Sequence, residues 1–176
     1  MSSIIDSYYL QHQELSGFLE EKSEISLKSD ADKKFSKTLI LASASYFEAR
    51  VLSIVNEFCS HHARSNEMVM SLLKAKAFER QYHSFFDWKV NNVNKFFSQF
   101  GEGAKLRHME NIKDNESLKK QEKNFMFIGS KRNLLVHTNF VVSPLEETYL
   151  EIYERYKSAN LFVDYIEKFF QDRRAQ

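Results

Sequence analysis

The chain has 176 residues and a formal net charge of +1, with 25 lysine and arginine residues against 24 aspartate and glutamate residues. This length suits one domain with its own core, and a nearly neutral chain is not a polycation that attracts nucleic acid in bulk. Four glycines, one proline and 14% aromatic residues exclude turn-rich sandwiches and barrels, and no glycine-rich phosphate loop occurs. The composition predicts an all-α protein.

The sequence predicts a cytoplasmic location. The single cysteine, Cys59, excludes an intrachain disulfide framework and is typical of a reducing compartment. The first residues contain no basic region followed by an apolar run, as a secretory signal would. No apolar stretch is expected to be long enough to cross a bilayer, so no membrane partner is expected.

Steps of three and four between apolar residues predict two N-terminal helices. The residues of the first stripe are Ile5, Tyr8, His12, Leu15 and Leu19. A polar loop is expected over residues 22–32, with Ser29 or Asp30 as the cap of the next helix. A second stripe predicts a long core helix that ends near the sequence CSHH, and its residues are Ile40, Ala44, Phe47, Val51, Ile54 and Phe58.

The middle of the chain predicts helices of less regular composition. One is expected over residues 66–80, and a break is expected near Tyr82 and His83. The next helix ends at the glycines of the sequence GEG, and its apolar residues are Phe86, Val90, Val93, Phe97 and Phe100. Residues 104–124 are polar and predict a solvated helix–loop–helix. Eight lysine and arginine residues against five carboxylates over residues 101–137 leave open a surface for an anionic partner.

The last third of the chain gives the clearest helical signals. One stripe consists of Leu118, Phe125, Ile128 and Leu135. Ser143, Pro144 and Glu146 are typical of a helix start, as cap, first-turn proline and capping-box glutamate. The residues that then keep a 4-3 rhythm are Leu145, Tyr149, Ile152, Tyr156, Ala159, Val163, Ile166 and Phe170.

No internal repeat, low-complexity tract or linker divides the chain. The prediction is therefore a single-domain helical bundle of about five to six helices over residues 1–176. Its core is expected at about residues 35–170, with an N-terminal helix and loop over residues 1–30.

The sequence SKRNLLVHTNF contains the most compact set of reactive groups. An arginine followed by a histidine at such a spacing is expected about 0.8 times by chance in this composition, so placement must carry the argument. Arg132 lies on the inward row of its helix, which also contains Phe125, Ile128 and Leu135. Arg132 and His137 are about 140° apart around an α-helix. They converge on one phosphate only if the arginine folds round or the helix loosens near His137.

A guanidinium on an inward row needs a partner, because a buried unpaired charge is costly. Glu48, in the core helix, is a candidate partner for Arg132, and equally for Arg50 or a lysine. Two interpretations therefore remain open. Arg132 is either held in an internal ion pair while His137 caps its helix, or both side chains act together on a substrate.

The long second helix, LILASASYFEARVLSIV, and the later sequence RNLLVH together resemble the HEPN domains, in particular the RiboL-PSP-like and related HEPN ribonuclease groups, over residues 35–170. Arg132, Asn133 and His137 match the family motif of an arginine, a polar residue and a histidine after four to six intervening positions. Glu48 is similar to the acidic residue that several such families carry on this helix. Many relatives continue the histidine with glycine, whereas this chain has Thr138.

The resemblance implies a metal-independent endoribonuclease, as a toxin or anti-phage defence effector, without a cofactor. It implies catalytic roles for Arg132 and His137, with Asn133 and Glu48 in support, at a homodimer cleft where both motifs face one RNA phosphate. Implied partners are RNA (tRNA or mRNA), a second copy of the chain, and an antitoxin or regulatory protein. The chemistry fits these residues, because RNA supplies its own 2′-OH nucleophile, histidine transfers protons near neutral pH and arginine neutralises phosphate charge.

Another group of residues has the side-chain types of a metal site. Its members are Glu57, Cys59, His61 and His62. Adjacent histidines point about 100° apart on a helix, and no second ligand pair has metal-site spacing. A solvated helix end is therefore the preferred interpretation, and no metal site is expected.

Other residues leave further alternatives open. His12 and His83 are expected to be ordinary, partly buried histidines. Trp88 lies off the neighbouring apolar row, so it is the aromatic residue with most scope for base stacking. A catalytically inactive helical interaction module is the main alternative function. Binding of a nucleotide or of a nucleotidyltransferase partner is a third class, which no residue here supports.

Overall fold

The computed structural model describes residues 3–64, 66–78 and 81–171, and only the backbone of Ala77 and Phe78. Over these residues the chain is 80% helical and contains no strand. The elements are α1 Ile4–Glu21, α2 Ile25–His62, α3 Glu67–Leu73, a π-helical turn Lys74–Phe78, α4 Tyr82–Phe85, α5 Asn94–Ser98, α6 Glu102–Lys113, α7 Glu116–His137 and α8 Tyr149–Gln171. The all-α prediction is confirmed. The described residues form eight α-helices rather than five to six.

The helices α2, α7 and α8 pack against one another, and α1 lies along α2. Aromatic rings fill the space between them. Phe47 stacks on Tyr156 with ring centroids 5.5 Å apart, and Phe125 lies 5.7 Å from Phe47. The α2 stripe was predicted correctly, since its members from Ile40 to Ile54 are buried and Phe58 is half-buried.

One helix, α2, is long and apolar enough to cross a membrane by length and composition. The expectation that no stretch of the chain meets this test is therefore wrong. The window of α2 that meets it is 44% buried inside the protein. Packing against α1, α7 and α8 accounts for its apolar composition, because the central helix of a bundle has apolar residues on several faces.

The loop predicted over residues 22–32 is wrong, because α2 begins at Ile25 with Glu24 at its cap. The chain reverses at Ser23, whose φ of 59° allows the backbone to bond the last carbonyls of α1. Most of the polar residues that were predicted to form a loop lie on α2 instead. Hydrogen bonds to some of them connect α2 to α1. His12 donates to Asp32 at 2.8 Å, and Lys28 donates to the same carboxylate at 3.4 Å.

The α1 helix itself was predicted correctly, but its buried face is shifted. Ile5 and His12 are buried as expected, whereas Tyr8 and Leu15 are exposed. Tyr9 and Ser16 take their places in the interior. His12 stacks on a phenylalanine of α2 and bonds a carboxylate, so a polar residue belongs to this face.

The single helix predicted to carry the stripe from Phe86 to Phe100 is wrong. Residues 86–93 form an irregular segment, and the break expected near Tyr82 and His83 is the short helix α4. The side chains of Asp87 and Asn92 accept from backbone N–H groups two residues later, both at 3.1 Å, which favours turns over helix. The stripe is largely buried, but separate segments contribute its residues.

The helix predicted over residues 66–80 is confirmed in part. Asn66 caps α3 by accepting from the Val69 N–H at 3.2 Å, and a π-helical turn continues the chain to residue 78. Residues 79 and 80 lie outside the described part of the chain.

The polar region over residues 104–124 forms a helix–loop–helix as predicted, from α6 and α7. One residue of α6 is fully buried rather than solvated. His108 lies between the Tyr165 hydroxyl, at 3.0 Å, and the Glu122 carboxylate, at 3.1 Å. Glu122 also accepts from the Val93 N–H at 2.9 Å, and it thereby fixes the irregular segment to α7.

The start predicted for the last helix is wrong, because α8 begins at Tyr149. Ser143 is buried and donates to the Asn139 carbonyl at 2.8 Å, so its hydroxyl is used at the end of α7. The same sequence pattern occurs again five residues later. Thr148 and Glu151 form the reciprocal bonds of a capping box, at 2.8 and 3.3 Å. The apolar rhythm of α8 is confirmed from Ile152 to Phe170.

The irregular segment packs against α7 through Trp88. A methyl group at Gly129 would lie 1.8 Å from a ring carbon of Trp88, so the indole occupies the space that any larger residue would need. The same indole contacts Phe86, with ring centroids 4.9 Å apart. The seating of Trp88 therefore depends on a glycine in the middle of a helix.

We expect Gly129→Ala to lower the free energy of unfolding by about 1–3 kcal/mol, because the added methyl overlaps the indole. The intrinsic fluorescence should also change, since Trp88 is the single tryptophan. Chemical denaturation monitored by fluorescence measures both effects. Gly17→Ala is the matched control, because open space surrounds Gly17 within α1 and the substitution should stabilise by about 0.5–1 kcal/mol. Equal effects of the two substitutions would contradict this account of Gly129.

Candidate active site

Arg132 lies near the end of α7 and is half-buried. Its Nη1 donates to Oδ1 of Asn133 at 3.1 Å and makes a long hydrogen bond of 3.4 Å to Nδ1 of His83. Arginine can only donate, so Nδ1 of His83 accepts and the proton of the neutral imidazole is on Nε2. Both partners of the guanidinium are therefore neutral groups.

Glu48 is half-buried on α2 and lines the same small cavity as Arg132. Within the described part of the chain, no ion pair of 4.0 Å or less joins Glu48 to a basic residue. Arg50, the other predicted partner, donates instead to Asp164 and Glu167, both at 2.9 Å. The predicted Glu48 ion pair is therefore not formed with either arginine.

The cavity beside Arg132 has a volume of about 10 Å³, which is room for a single water molecule. Its polar lining consists of Glu48, Tyr82, His83, Arg132 and Asn133. Its apolar lining consists of Ala44, Phe47, Trp88, Phe125 and Gly129. It is too small for a nucleobase, so a substrate would meet these polar groups at the surface.

The pKa shifts of Tyr82 and His83 reflect the charges around the cavity. Burial raises the pKa of Tyr82, and Glu48 adds to this effect while Arg132 opposes it. Partial burial lowers the pKa of His83, and Arg132 and His137 lower it further, against an opposing effect of Glu48. Glu48 on α2 and the two motif residues on α7 therefore have opposite effects on the pKa of His83.

His83 is the residue of this group that the sequence did not predict. It was expected to be an ordinary, partly buried histidine; it lies at the surface with its ring only partly covered by the protein, and it contacts Arg132. The contact joins residues 49 positions apart, so no local spacing could indicate it. The only feature of the sequence that pointed to this region was the break in helix expected near Tyr82 and His83.

His137 is the last residue of α7, and its side chain is exposed. It makes no hydrogen bond with the described residues, so it does not cap its helix. The neighbouring Thr138 caps it instead, with its N–H 3.0 Å and its Oγ1 2.6 Å from the Leu134 carbonyl. Thr138 has φ −116° and ψ 170°, an extended conformation open to any residue, so glycine is not required after the histidine here.

Lys37 of α2 holds the segment that follows His137. Its Nζ donates to the carbonyls of Phe140, at 2.9 Å, and Val141, at 3.0 Å, and lies 5.6 Å from the centre of the Phe140 ring. Ser143 adds a contact with the Thr138 hydroxyl. The end of α7 is thereby tied to the helix that contains Glu48.

The other candidate residues are those of the predicted metal-type group and Trp88, and their contacts belong to the packing of the fold. Among the described residues, no three histidine, cysteine, aspartate or glutamate side chains lie close enough together to hold a metal ion. His62 bonds the Phe58 carbonyl at 2.9 Å, and burial raises the pKa of the Cys59 thiol. Trp88 is half-buried against Gly129, so it is not the exposed platform for base stacking that the sequence suggested.

A larger groove, of about 470 Å³, lies between α2 and residues 145–150. Two of its carboxylates already have basic partners, since Asp32 bonds Lys28 and His12 and Glu147 pairs with Lys131. The arginine-containing cavity therefore remains the stronger candidate, since its guanidinium has no carboxylate partner within the described residues.

The fold defines the chain as an all-α helical domain. The chain belongs to the RiboL-PSP-HEPN family, whose model matches residues 6–172. The match includes most of α1 and so extends beyond the region, residues 35–170, over which the sequence motifs indicated a resemblance. No curated protein and no solved structure matches the chain.

We expect Lys37→Met to lower the free energy of unfolding by about 1 kcal/mol, because it removes a charged donor from two carbonyls. Amide hydrogen exchange should become faster over residues 138–143, and mass spectrometry can measure it. Lys34→Met is the matched control on α2, since Lys34 has only an exposed pair with Asp30 and should change little. Unchanged exchange over this segment in Lys37→Met would refute the role of the tether.

Proposed function

We propose that the chain is a metal-independent endoribonuclease in which Arg132 and His137 act on an RNA phosphate. One observation carries the proposal: within the described residues the Arg132 guanidinium has only neutral partners, at the edge of a small cavity that the exposed His83 also lines. An internal ion pair would have supported a purely structural role. Membership of the RiboL-PSP-HEPN family supports the same assignment, because HEPN proteins include nucleases.

The reaction requires no nucleophile from the protein. The RNA 2′-oxygen attacks the adjacent phosphorus as its proton leaves, the bond from phosphorus to the 5′-oxygen breaks, and that oxygen takes up a proton. The products are a 2′,3′-cyclic phosphate and a 5′-hydroxyl. His137 is exposed and can transfer one of these protons near neutral pH.

Each remaining residue has a role that follows from its position. Arg132 neutralises the charge that accumulates on the phosphate oxygens, with a planar donor set that suits phosphate. Asn133 holds the guanidinium through its Oδ1 and presents its amide to a phosphate oxygen or a base. Glu48 supports the site electrostatically, since its carboxylate acts on Tyr82 and His83 without neutralising Arg132 through an ion pair.

A homodimer completes the proposed site. Arg132 and His137 project about 140° apart from one helix, so residues of two copies can face one phosphate more readily than those of one copy. Exposed apolar residues lie within the motif and just after it, and they are Leu134, Val136, Val141 and Val142. Val141 and Val142 are 79% and 73% exposed in the single chain, and a second copy would cover them.

In the cell we propose a toxin or anti-phage effector that acts in the cytoplasm. Its substrate is RNA, with tRNA or mRNA as candidates, and an antitoxin or regulatory protein is a candidate partner. Residues 1–176 would function as one domain, because the core helices and α1 share one cluster of buried residues.

A catalytically inactive interaction module is the second candidate function, and the family includes inactive members. The observation that favours it is the exposed apolar side of α3, where Met68 is 84% and Leu72 is 61% exposed. Such a surface suits a protein partner. An inactive module would tolerate substitution of Arg132 and His137 without loss of function.

We expect purified protein to cleave total tRNA in the presence of EDTA, and His137→Ala and Arg132→Ala each to slow cleavage by about 10²-fold or more. The product ends should be 2′,3′-cyclic phosphate and 5′-hydroxyl, which end-specific enzymatic labelling detects. His61→Ala is the control, because His61 is likewise exposed near the end of a helix. Equal cleavage by the motif variants and this control would refute the proposal.

We expect inactive Arg132→Ala and His137→Ala chains to recover activity when they are mixed and allowed to exchange subunits. In a mixed dimer, one composite cleft retains the arginine of one chain and the histidine of the other. Single-turnover cleavage of tRNA measures the recovery, and sedimentation velocity measures the dimer. A strictly monomeric wild-type chain that still cleaves RNA would rule out the dimeric site.

A further inference from the structure

His83 contacts the proposed site from outside the arginine–histidine motif. It lies on α4, is exposed to solvent, and accepts a hydrogen bond from Arg132 across 49 positions of sequence. Substrate could therefore reach both side chains.

We propose that His83 is a positioning residue. Its neutral imidazole holds the Arg132 guanidinium ready for an RNA phosphate, and protonation of His83 releases the guanidinium. This inference rests on the ribonuclease function proposed above, and it adds a third residue and a pH dependence to that function. His83 acts through Arg132 rather than on the reacting atoms.

A neutral acceptor suits this task better than a carboxylate. Arg50 shows the alternative, since it donates to two carboxylates that offset its charge. An arginine paired in that way has less affinity for a phosphate, because it must first give up its partners. His83 and Asn133 fix the direction of the Arg132 guanidinium and leave its full charge for the substrate.

The position of His83 is itself fixed by packing. Its neighbours Tyr82 and Phe85 are buried, so α4 is anchored on both sides of the histidine. The next residues are held against α7 by Trp88 on Gly129 and by the bond from the Val93 N–H to Glu122. An arginine held by such a support is oriented before substrate arrives.

Protonation of His83 reverses the contact. The second proton occupies Nδ1, which then cannot accept from Arg132, and the new positive charge repels the guanidinium. The groups that face His83 are Arg132 and His137 on α7, Glu48 on α2 and Tyr82 beside it. Partial burial, Arg132 and His137 hold the pKa of His83 below its usual value, against Glu48, so the imidazole stays neutral at neutral pH and the contact is lost only on acidification.

The test compares His83→Gln, His83→Ala and wild type in tRNA cleavage with EDTA from about pH 5 to 8. Glutamine keeps an acceptor for Arg132 but does not titrate, so it should retain most activity at neutral pH, whereas alanine should lose about tenfold or more. The ratio of His83→Gln activity to wild-type activity should rise as the pH falls. Equal losses in both variants, or a ratio independent of pH, would overturn the proposal.

A second measurement decides the contact without any cleavage. Proton NMR titration of the histidine rings gives the pKa of His83 in wild type and in Arg132→Gln, and the pKa should rise when the guanidinium is removed. His61 serves as the internal control. An unchanged His83 pKa overturns the inference even if no RNA is cut. If the motif variants lose activity while both His83 variants keep it, only this inference fails and the ribonuclease function stands.

Discussion

The packing of one indole against one glycine determines how the two halves of the candidate site meet. Arg132, Asn133 and His137 lie on α7, whereas Tyr82 and His83 lie on a helix of four residues that has little stability of its own. Trp88 lies against Gly129 and fixes the second group to the first. The arrangement of the polar residues therefore depends on an apolar contact between Trp88 and Gly129, outside the motif itself.

Two partly buried arginines of the bundle, Arg50 and Arg132, differ in the charge of their hydrogen-bond partners. Arg50 has two carboxylates and helps to join α2 to α8, whereas Arg132 has only an amide and an imidazole. Both guanidinium groups are partly shielded from water, yet only the first is electrostatically satisfied within the described chain. The difference separates an arginine that joins two helices through ion pairs from one whose charge no carboxylate offsets within the described residues.

The sequence predicted the long helices well and the short ones poorly. The stripes of α2, α7 and α8 are confirmed because these long helices pack against one another along much of their length, which keeps the period of buried residues regular. The prediction of one helix from Phe86 to Phe100 is wrong because separate segments bury these residues, and their spacing in the sequence matches a helical period. The cap at Ser143 was misplaced because Thr148 and Glu151 repeat the same pattern and Ser143 bonds elsewhere. The motif was visible in the sequence, but the contact of His83 with Arg132 arises only on folding.

The segment after His137 shows that different residue types can end a helix at the same point. Thr138 is extended, it caps α7 with its own hydroxyl, and Lys37 holds the carbonyls that follow. A family signature written with glycine at this position describes one solution to the need to leave the helix directly after the histidine. A hydroxyl residue and a distant lysine provide another, so searches for HEPN domains that require the glycine would overlook chains built like this one.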